Sequence, residues 1–173
     1  AYFVSGRYDL DHKTYVSAAV NTEKRHEDRG SLEDVNGDSP IEYNVTSYNA
    51  GFTRELGLLK FYITGLTRKY EYDDSTRSGI FIDNSARDFR EDVGTVRLAY
   101  GLNDDLDIYV RGDYDRRRYD DSSVYFRDSD GLAGYLGVRS NVTGKIEASA
   151  YAGWMMRDYD GALSEDISVA GFG

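Results

Sequence analysis

The sequence predicts an all-β protein: an antiparallel up-and-down transmembrane β-barrel with about eight strands in this chain, short turns at one end and long loops at the other. Three observations predict it. Residues alternate at period two between an apolar and a charged set, most clearly in LDIYVRGDYDRRRYDD at 106–121. Short turns begin near Leu10, Leu56, Leu102 and Val142, at spacings of 46, 46 and 40 residues, which makes an internal repeat of hairpins. The strands that run into the loops also end alike, in KRHED at 24–28, KYEYDD at 69–74, RRYDD at 117–121 and RDYD at 157–160.

Taken in order, Tyr2 to Asp9 alternates first, with Tyr2, Val4, Gly6 and Tyr8 against Phe3, Ser5, Arg7 and Asp9. A polar turn at Leu10–Lys13 leads to Thr14–Arg25, where Val16, Ala18 and Val20 oppose Tyr15, Ser17, Ala19, Asn21 and Glu23. The long loop from about Glu27 to Glu42 holds the only proline, Pro40, a residue that interrupts pairing. Tyr43–Glu55 is the third strand, and a tight turn at Leu56–Leu58 joins it to Lys60–Tyr72. There Phe61 and Ile63 face away from Lys60, Tyr62 and Thr64. Asp73 to about Arg90 reads as a second long loop. Asp92–Tyr100 sets Val96, Leu98 and Tyr100 against Thr95, Arg97 and Ala99, and Leu102–Asp105 turns into 106–121. In that stretch Leu106, Ile108, Val110, Gly112 and Tyr114 oppose Asp107, Tyr109, Arg111, Asp113 and Asp115. A loop from Asp120 to Asp130 precedes Leu132–Ser140. Val142–Lys145 then turns into Ile146–Tyr159, with Ile146, Ala148, Ala150, Ala152, Trp154 and Met156 in one stripe. Ile167–Phe172 reads as the start of a ninth strand. These runs exceed the ~5–6 residues of ordinary globular strands, and no amphipathic helix is evident.

Three architectures hold many long antiparallel strands: a soluble sandwich, a soluble barrel and a membrane barrel. A soluble fold buries the apolar parity and leaves the charged parity in water. Here the apolar stripes are thin, with Gly, Ala and Tyr interrupting a few Leu, Ile and Val, whereas soluble cores are close-packed with bulky side chains. The turn asymmetry is systematic and matches barrels with short periplasmic turns and long outer loops. A membrane barrel turns the pattern inside out, with the apolar parity on lipid and the charged parity around water. The charged face of 106–121 cannot enter a dry core without full pairing.

The 173 residues suit one domain, 1–173, complete or part of a larger barrel. With 21 basic and 31 acidic residues the net charge is −10, which argues against general nucleic-acid binding. There is no Cys, hence no disulfide framework or thiolate metal site. Mean hydropathy is −0.62 and no apolar run approaches the ~20 residues of a spanning helix. Alternating barrel strands keep mean hydropathy low in any case. The chain opens at Ala1 in mid-strand, with no secretory signal in view.

The strand ends KYEYDD and RRYDD, together with YDLDHKTYVSAAV at 8–20 and NAGFTRELGLLKFYITG at 49–65, resemble outer-membrane proteins grouped as putative β-barrel porins of the second type. These occur in Gram-negative bacteria, notably alphaproteobacteria. The resemblance runs over most of the chain and implies an outer-membrane location. Barrels of that family have more than eight strands, and Gly171-Phe172-Gly173 lacks a terminal aromatic. The chain therefore reads as about half of a longer barrel, a compact relative, or one partner in an assembly.

On this reading Arg7, Asp9, Glu23, Lys60, Arg97, Asp107, Arg111, Asp113, Arg139 and Glu147 line the lumen and pair across its wall. Were only eight strands to close, side chains would fill the interior. Tyr70, Tyr72, Tyr100, Tyr114, Tyr119, Trp154 and Tyr159 lie near strand ends, where an aromatic girdle meets the membrane surface. The acidic loop residues Asp73, Asp74, Asp120, Asp121, Asp128 and Asp130 suit divalent cations at a lipopolysaccharide surface or plain solvation. Asp34, Asn36 and Asp38 start like a calcium loop, but Ser39 stands where its glycine belongs. His12 sits in a turn and His26 beside Glu27 and Asp28, and no catalytic or phosphate-binding signature occurs. The sequons at Asn44 and Asn141 read as chance.

The expectation is a non-enzymatic porin-like channel for small solutes or a conduit for surface-polysaccharide export, without metal or cofactor. Its partners would be outer-membrane lipid, lipopolysaccharide and other membrane-complex subunits. A non-conducting scaffold with partner-binding loops and a secreted β-sheet protein are the competing readings.

Overall fold

The computed structural model describes residues 1–28, 37–121, 127–144, 146–160 and 167–173. Among the described residues nine strands form one antiparallel sheet. They are β1 (Tyr2–Asp11), β2 (Thr14–His26), β3 (Glu42–Leu56), β4 (Leu59–Tyr72), β7 (Phe89–Asn103), β8 (Leu106–Tyr119), β9 (Ser129–Thr143), β10 (Ile146–Tyr159) and β11 (Ile167–Phe172). Each pairs with its predecessor, in the order β1-β2-β3-β4-β7-β8-β9-β10-β11, so the sheet is an up-and-down meander with open edges at β1 and β11. The expected eight strands and the incipient ninth are all present.

Short connections lie at one end and long ones at the other. In the β1–β2 turn the Asp11 carboxylate accepts the Lys13 N–H at 2.7 Å. The β3–β4 turn needs Gly57, whose φ of 64° is one that a side chain would oppose. In the β7–β8 turn Asn103 accepts the Asp105 N–H at 2.9 Å.

The stretch 73–90 is not the plain loop expected. It contains a small hairpin, β5 (Ser75–Arg77) and β6 (Ile80–Ile82), followed by a 3-10 turn at Ser85–Arg87, and β7 begins at Phe89 rather than Asp92. Ser78 and Gly79 both have positive φ, which gives the primed hairpin turn. Asn84 is 2% exposed and ties this segment down: its side-chain amide donates to the Asp73 carbonyl at 3.0 Å and its backbone N–H donates to the Asp74 carboxylate at 3.1 Å. Arg87 reaches Glu27 at 2.6 Å and lies 4.4 Å over the Tyr72 ring. The loop therefore folds back onto the sheet.

The sheet is curved, and the sense of curvature follows from exposure. On β8 Val110 is 52% exposed, while the side chains of Asp107 and Asp113 are 14% and 15% exposed. Side chains crowd on the concave side of a bent sheet and spread on the convex side. The charged parity is thus concave and the apolar parity convex. Among the described residues the buried apolar side chains are only Ile41, Val45, Ala99 and Ala133, so the sheet encloses no hydrophobic core.

Small residues make room on the crowded face. A Cβ on Gly153 would lie 2.3 Å from the Tyr135 ring and 2.5 Å from the Gly134 carbonyl oxygen. On the convex face a Cβ on Gly65 would meet nothing within 4 Å. Gly153→Ala is therefore expected to lower stability by about 1–3 kcal/mol, the usual cost of overpacking. Gly65→Ala should leave stability unchanged or higher, as read from denaturant midpoints of the refolded protein.

Candidate functional site

The concave face is organised in rows, because paired strands place register partners side by side. One row near the middle reads Asp9, Tyr15, Thr53, Tyr62, Arg97, Arg111 and Tyr135 from β1 to β9. The next row toward the short turns holds Glu55, Lys60, Ala99, Tyr109, Gly137 and Tyr151. All ten residues expected to face the lumen share this face: Arg7, Asp9, Glu23, Lys60, Arg97, Asp107, Arg111, Asp113, Arg139 and Glu147.

Their charges are paired in two ways. Partners two residues apart on one strand meet directly: Arg7 with Asp9 at 2.6 Å, Arg111 with Asp113 at 2.8 Å, and Arg25 with Glu23. Other pairs bridge strands. Lys60 on β4 reaches Asp107 on β8 at 3.2 Å, passing over β7 where Ala99 is 1% exposed beneath it. A larger residue at 99 would block that contact. Arg139 pairs with Glu147 and Arg157 with Asp115, while Glu91 takes both Arg68 at 2.9 Å and Arg117 at 3.2 Å. Half-buried pairs of this kind hold side chains in place more than they stabilise the fold, since exposed ion pairs contribute roughly 0–1 kcal/mol.

Arg97 is the exception. Every other described Lys or Arg on this face has a carboxylate within 4.0 Å. Arg97 lies instead 4.0 Å over the Tyr109 ring and 5.7 Å from that of Tyr62, and its buried Nε has no acceptor. The sequence supplies the reason: the positions two residues away are Thr95 and Ala99, not acids. The diagonal carboxylate, Asp113, is taken by Arg111 and by the Thr95 hydroxyl at 2.7 Å.

The seven aromatic residues assigned to a girdle divide between the faces. Tyr100, Tyr114 and Trp154 are on the convex face, 42%, 48% and 56% exposed. Tyr70, Tyr72, Tyr119 and Tyr159 share the concave parity, so they cannot belong to a lipid-facing girdle. Three of them join Tyr43 and Phe89 in a continuous stack near the long loops, with ring centroids 4.2–6.5 Å apart. That stack seats the folded-back loop. Residues the sequence reading passed over include the concave tyrosines 15, 62, 109, 135 and 151, each at even spacing from a charge it did select. On the convex face it passed over Tyr48, at the upper limit of the apolar band.

That band is bounded. On β8 the convex side runs Leu106, Ile108, Val110, Gly112, Tyr114 and then turns polar at Arg116 and Arg118. The eight steps from Leu106 to Tyr114 make about 27 Å of strand, or about 20 Å at the usual barrel tilt, near the ~25 Å apolar band of outer-membrane barrels.

The acidic loop residues do not converge on a common point. Asp73 meets Lys24 at 3.0 Å, Asp74 accepts from Asn84, Asp128 accepts the Tyr119 N–H at 2.7 Å, and Asp130 takes the Tyr114 hydroxyl at 2.6 Å. Among the described residues no three His, Asp or Glu side chains are placed to hold a metal. Of the calcium-like triplet, Asp34 and Asn36 lie outside the described residues, and Asp38 accepts the Ser78 N–H at 3.0 Å.

Asp88, between the 3-10 turn and β7, has its carboxyl raised above 3.8, first by burial and further by Asp120 and Glu71, against the Tyr72 N–H that it accepts. A raised acid favours the folded state fully below its unfolded value and loses that contribution as pH rises through its folded value. Asp88→Asn should therefore slow amide exchange in residues 84–90 at neutral pH, with the difference from the parent vanishing near pH 3.8. An equal difference at both pH values would contradict this assignment.

Comparison with known proteins places this geometry. A family model described as putative beta-barrel porin 2 matches residues 2–172. Two solved structures are similar over the fold. In-vitro folded OmpT, an outer membrane protein of Vibrio cholerae, matches with a TM-score of 0.59 at 14% identity, covering 98% of this chain and 52% of that one. The trimer form of the same protein matches with a TM-score of 0.57, again at 14% identity and with the same coverage. The chain thus spans about half the length of these structures. None of the curated proteins compared matches it.

Proposed function

We propose that this chain, which belongs to the putative beta-barrel porin 2 family, lines a water-filled lumen with its concave face and passes small polar solutes by passive diffusion, without catalysis. Its setting is the bacterial outer membrane, the location of that family and of the similar solved barrels. The observation that carries the reading is the inverted exposure of the sheet: carboxylates and guanidinium groups are crowded inward while Val, Leu, Ile and Trp stand outward over a band of membrane height. A fixed wall of paired charges around water sets which ions and solutes pass and at what rate.

Two further features bear on the solute and the surroundings. Tyrosine rings alternate with charges along the concave rows, an arrangement that suits sugars as well as ions and favours polysaccharide export as the second reading. On the convex face Lys69, Arg90 and Arg118 are register partners in one row just beyond the apolar band, where they would meet lipid or lipopolysaccharide phosphates.

The full-length protein in planar bilayers should give discrete single-channel currents. A sealed membrane holding protein that is folded, as shown by heat-modifiable migration, would overturn the channel reading. In a refolding titration Val110→Arg, in the middle of the convex band, is expected to cost about 2–4 kcal/mol. Thr64→Arg on the concave face should shift the midpoint far less.

A further inference from the structure

We infer that Arg97, with Arg111 and the rings of Tyr62, Tyr109 and Tyr135, forms a subsite for the carboxylate of a hydroxyl-rich, sugar-sized solute, that is, a sugar acid. This rests on the lumen reading above and goes further by naming the residues and the solute class.

Four observations converge. Arg97 is the one described cation of the concave face without a carboxylate within 4.0 Å. Its Nε is buried and has no acceptor, although leaving a buried donor unused costs on the order of 1–3 kcal/mol. Arg97 and Arg111 are register partners, a juxtaposition of like charges that ordinary sheets avoid. Next to Arg97, across the Tyr109 ring on which it stacks, Tyr109, Arg111, Tyr135 and Tyr151 line a half-open hollow of about 150 Å³.

The chemistry follows from the parts. Stacking over Tyr109 orients the guanidinium without cancelling its charge. A planar guanidinium with spare donors binds a carboxylate through two parallel hydrogen bonds. The neighbouring rings offer flat apolar faces to a pyranose and hydroxyl groups to its edge. Local rules broken without compensation inside the protein mark places where a ligand supplies what is missing. Elsewhere on this face the rule is kept: Arg7, Arg25 and Arg111 pair with an acid two residues away, Lys60, Arg68, Arg117, Arg139 and Arg157 pair with one on another strand, and among the described residues only Arg97 does neither.

The test is calorimetric titration of the full-length protein, folded in detergent, with sodium glucuronate, and with glucose and sodium chloride as controls. Glucuronate should bind more tightly than glucose, and chloride should not displace it at equal concentration. Arg97→Gln should weaken glucuronate binding by roughly tenfold to a hundredfold, the range for a hydrogen bond to a charged group. Thr95→Asp keeps the arginine but supplies the absent carboxylate, and it should weaken binding comparably, which carries the test if Arg97→Gln does not fold. Absence of glucuronate binding by the parent protein, or equal binding by a folded variant, overturns the subsite. Bilayer recording of the same samples separates the two readings. A conducting protein with no Arg97-dependent binding sinks the subsite alone, and one that binds but never conducts sinks the channel alone.

Discussion

A β-strand sends successive side chains to opposite faces, and in this protein each face is built for a different solvent. Backbone donors and acceptors are consumed by the ladder from β1 to β11, so the sheet can border hydrocarbon without exposing unpaired peptide groups along its interior strands. What remains to be solvated is the side chains. The convex parity offers lipid little but carbon over a band of membrane height. The concave parity holds charges that need either partners or water. The ion-pair ladder fits that division, and the Val, Leu, Ile and Trp side chains exposed on the convex face would not be explained by a sheet packed on a soluble core.

The ladder shows how crowding on the concave side is used. Ala99 and Gly101 form a low point between β4 and β8, which lets Lys60 reach Asp107 across an intervening strand. Glycines 137 and 153 lie beneath the rings of Tyr109 and Tyr135 and let those rings lie flat along the wall. Side chains held by both ring contacts and ion pairs make a wall of fixed shape, which a selective passage requires. At the loop end the stack of Tyr43, Tyr72, Tyr70, Phe89 and Tyr119 takes the place of a hydrophobic core and anchors the segment carrying Asn84 and Arg87.

Much of this was legible in the sequence, for a specific reason. Once 106–121 is recognised as a strand, parity alone assigns Asp107, Arg111 and Asp113 to one face, and the same counting on each repeat collects all ten charged residues. The aromatic assignment failed where height along the strand was weighed without parity: Tyr70 and Tyr72 have the parity of Lys60, not of Ile63. The β5–β6 hairpin was missed because strands of three residues are too short to show alternation, although Ser78-Gly79 between STR and IFI is a turn signal. The isolation of Arg97 was legible only in part: Thr95 and Ala99 beside it are visible in the sequence, but its neighbours from β4 and β8 follow only from the register. The Lys60–Asp107 bridge, which spans 47 residues of sequence, was hidden for the same reason.

The assignment of solvents to faces lends itself to a direct test, because the sequence contains no cysteine. Single cysteines placed in turn at 106 through 115 of β8, in the full-length protein reconstituted into liposomes, can be probed with a membrane-impermeant thiol reagent and with a lipid-soluble quencher. Alternation is expected: positions 107, 109, 111, 113 and 115 react with the aqueous reagent, and 108, 110, 112 and 114 are reached from lipid. Aqueous labelling of the even positions, with protection of the odd ones, would contradict it.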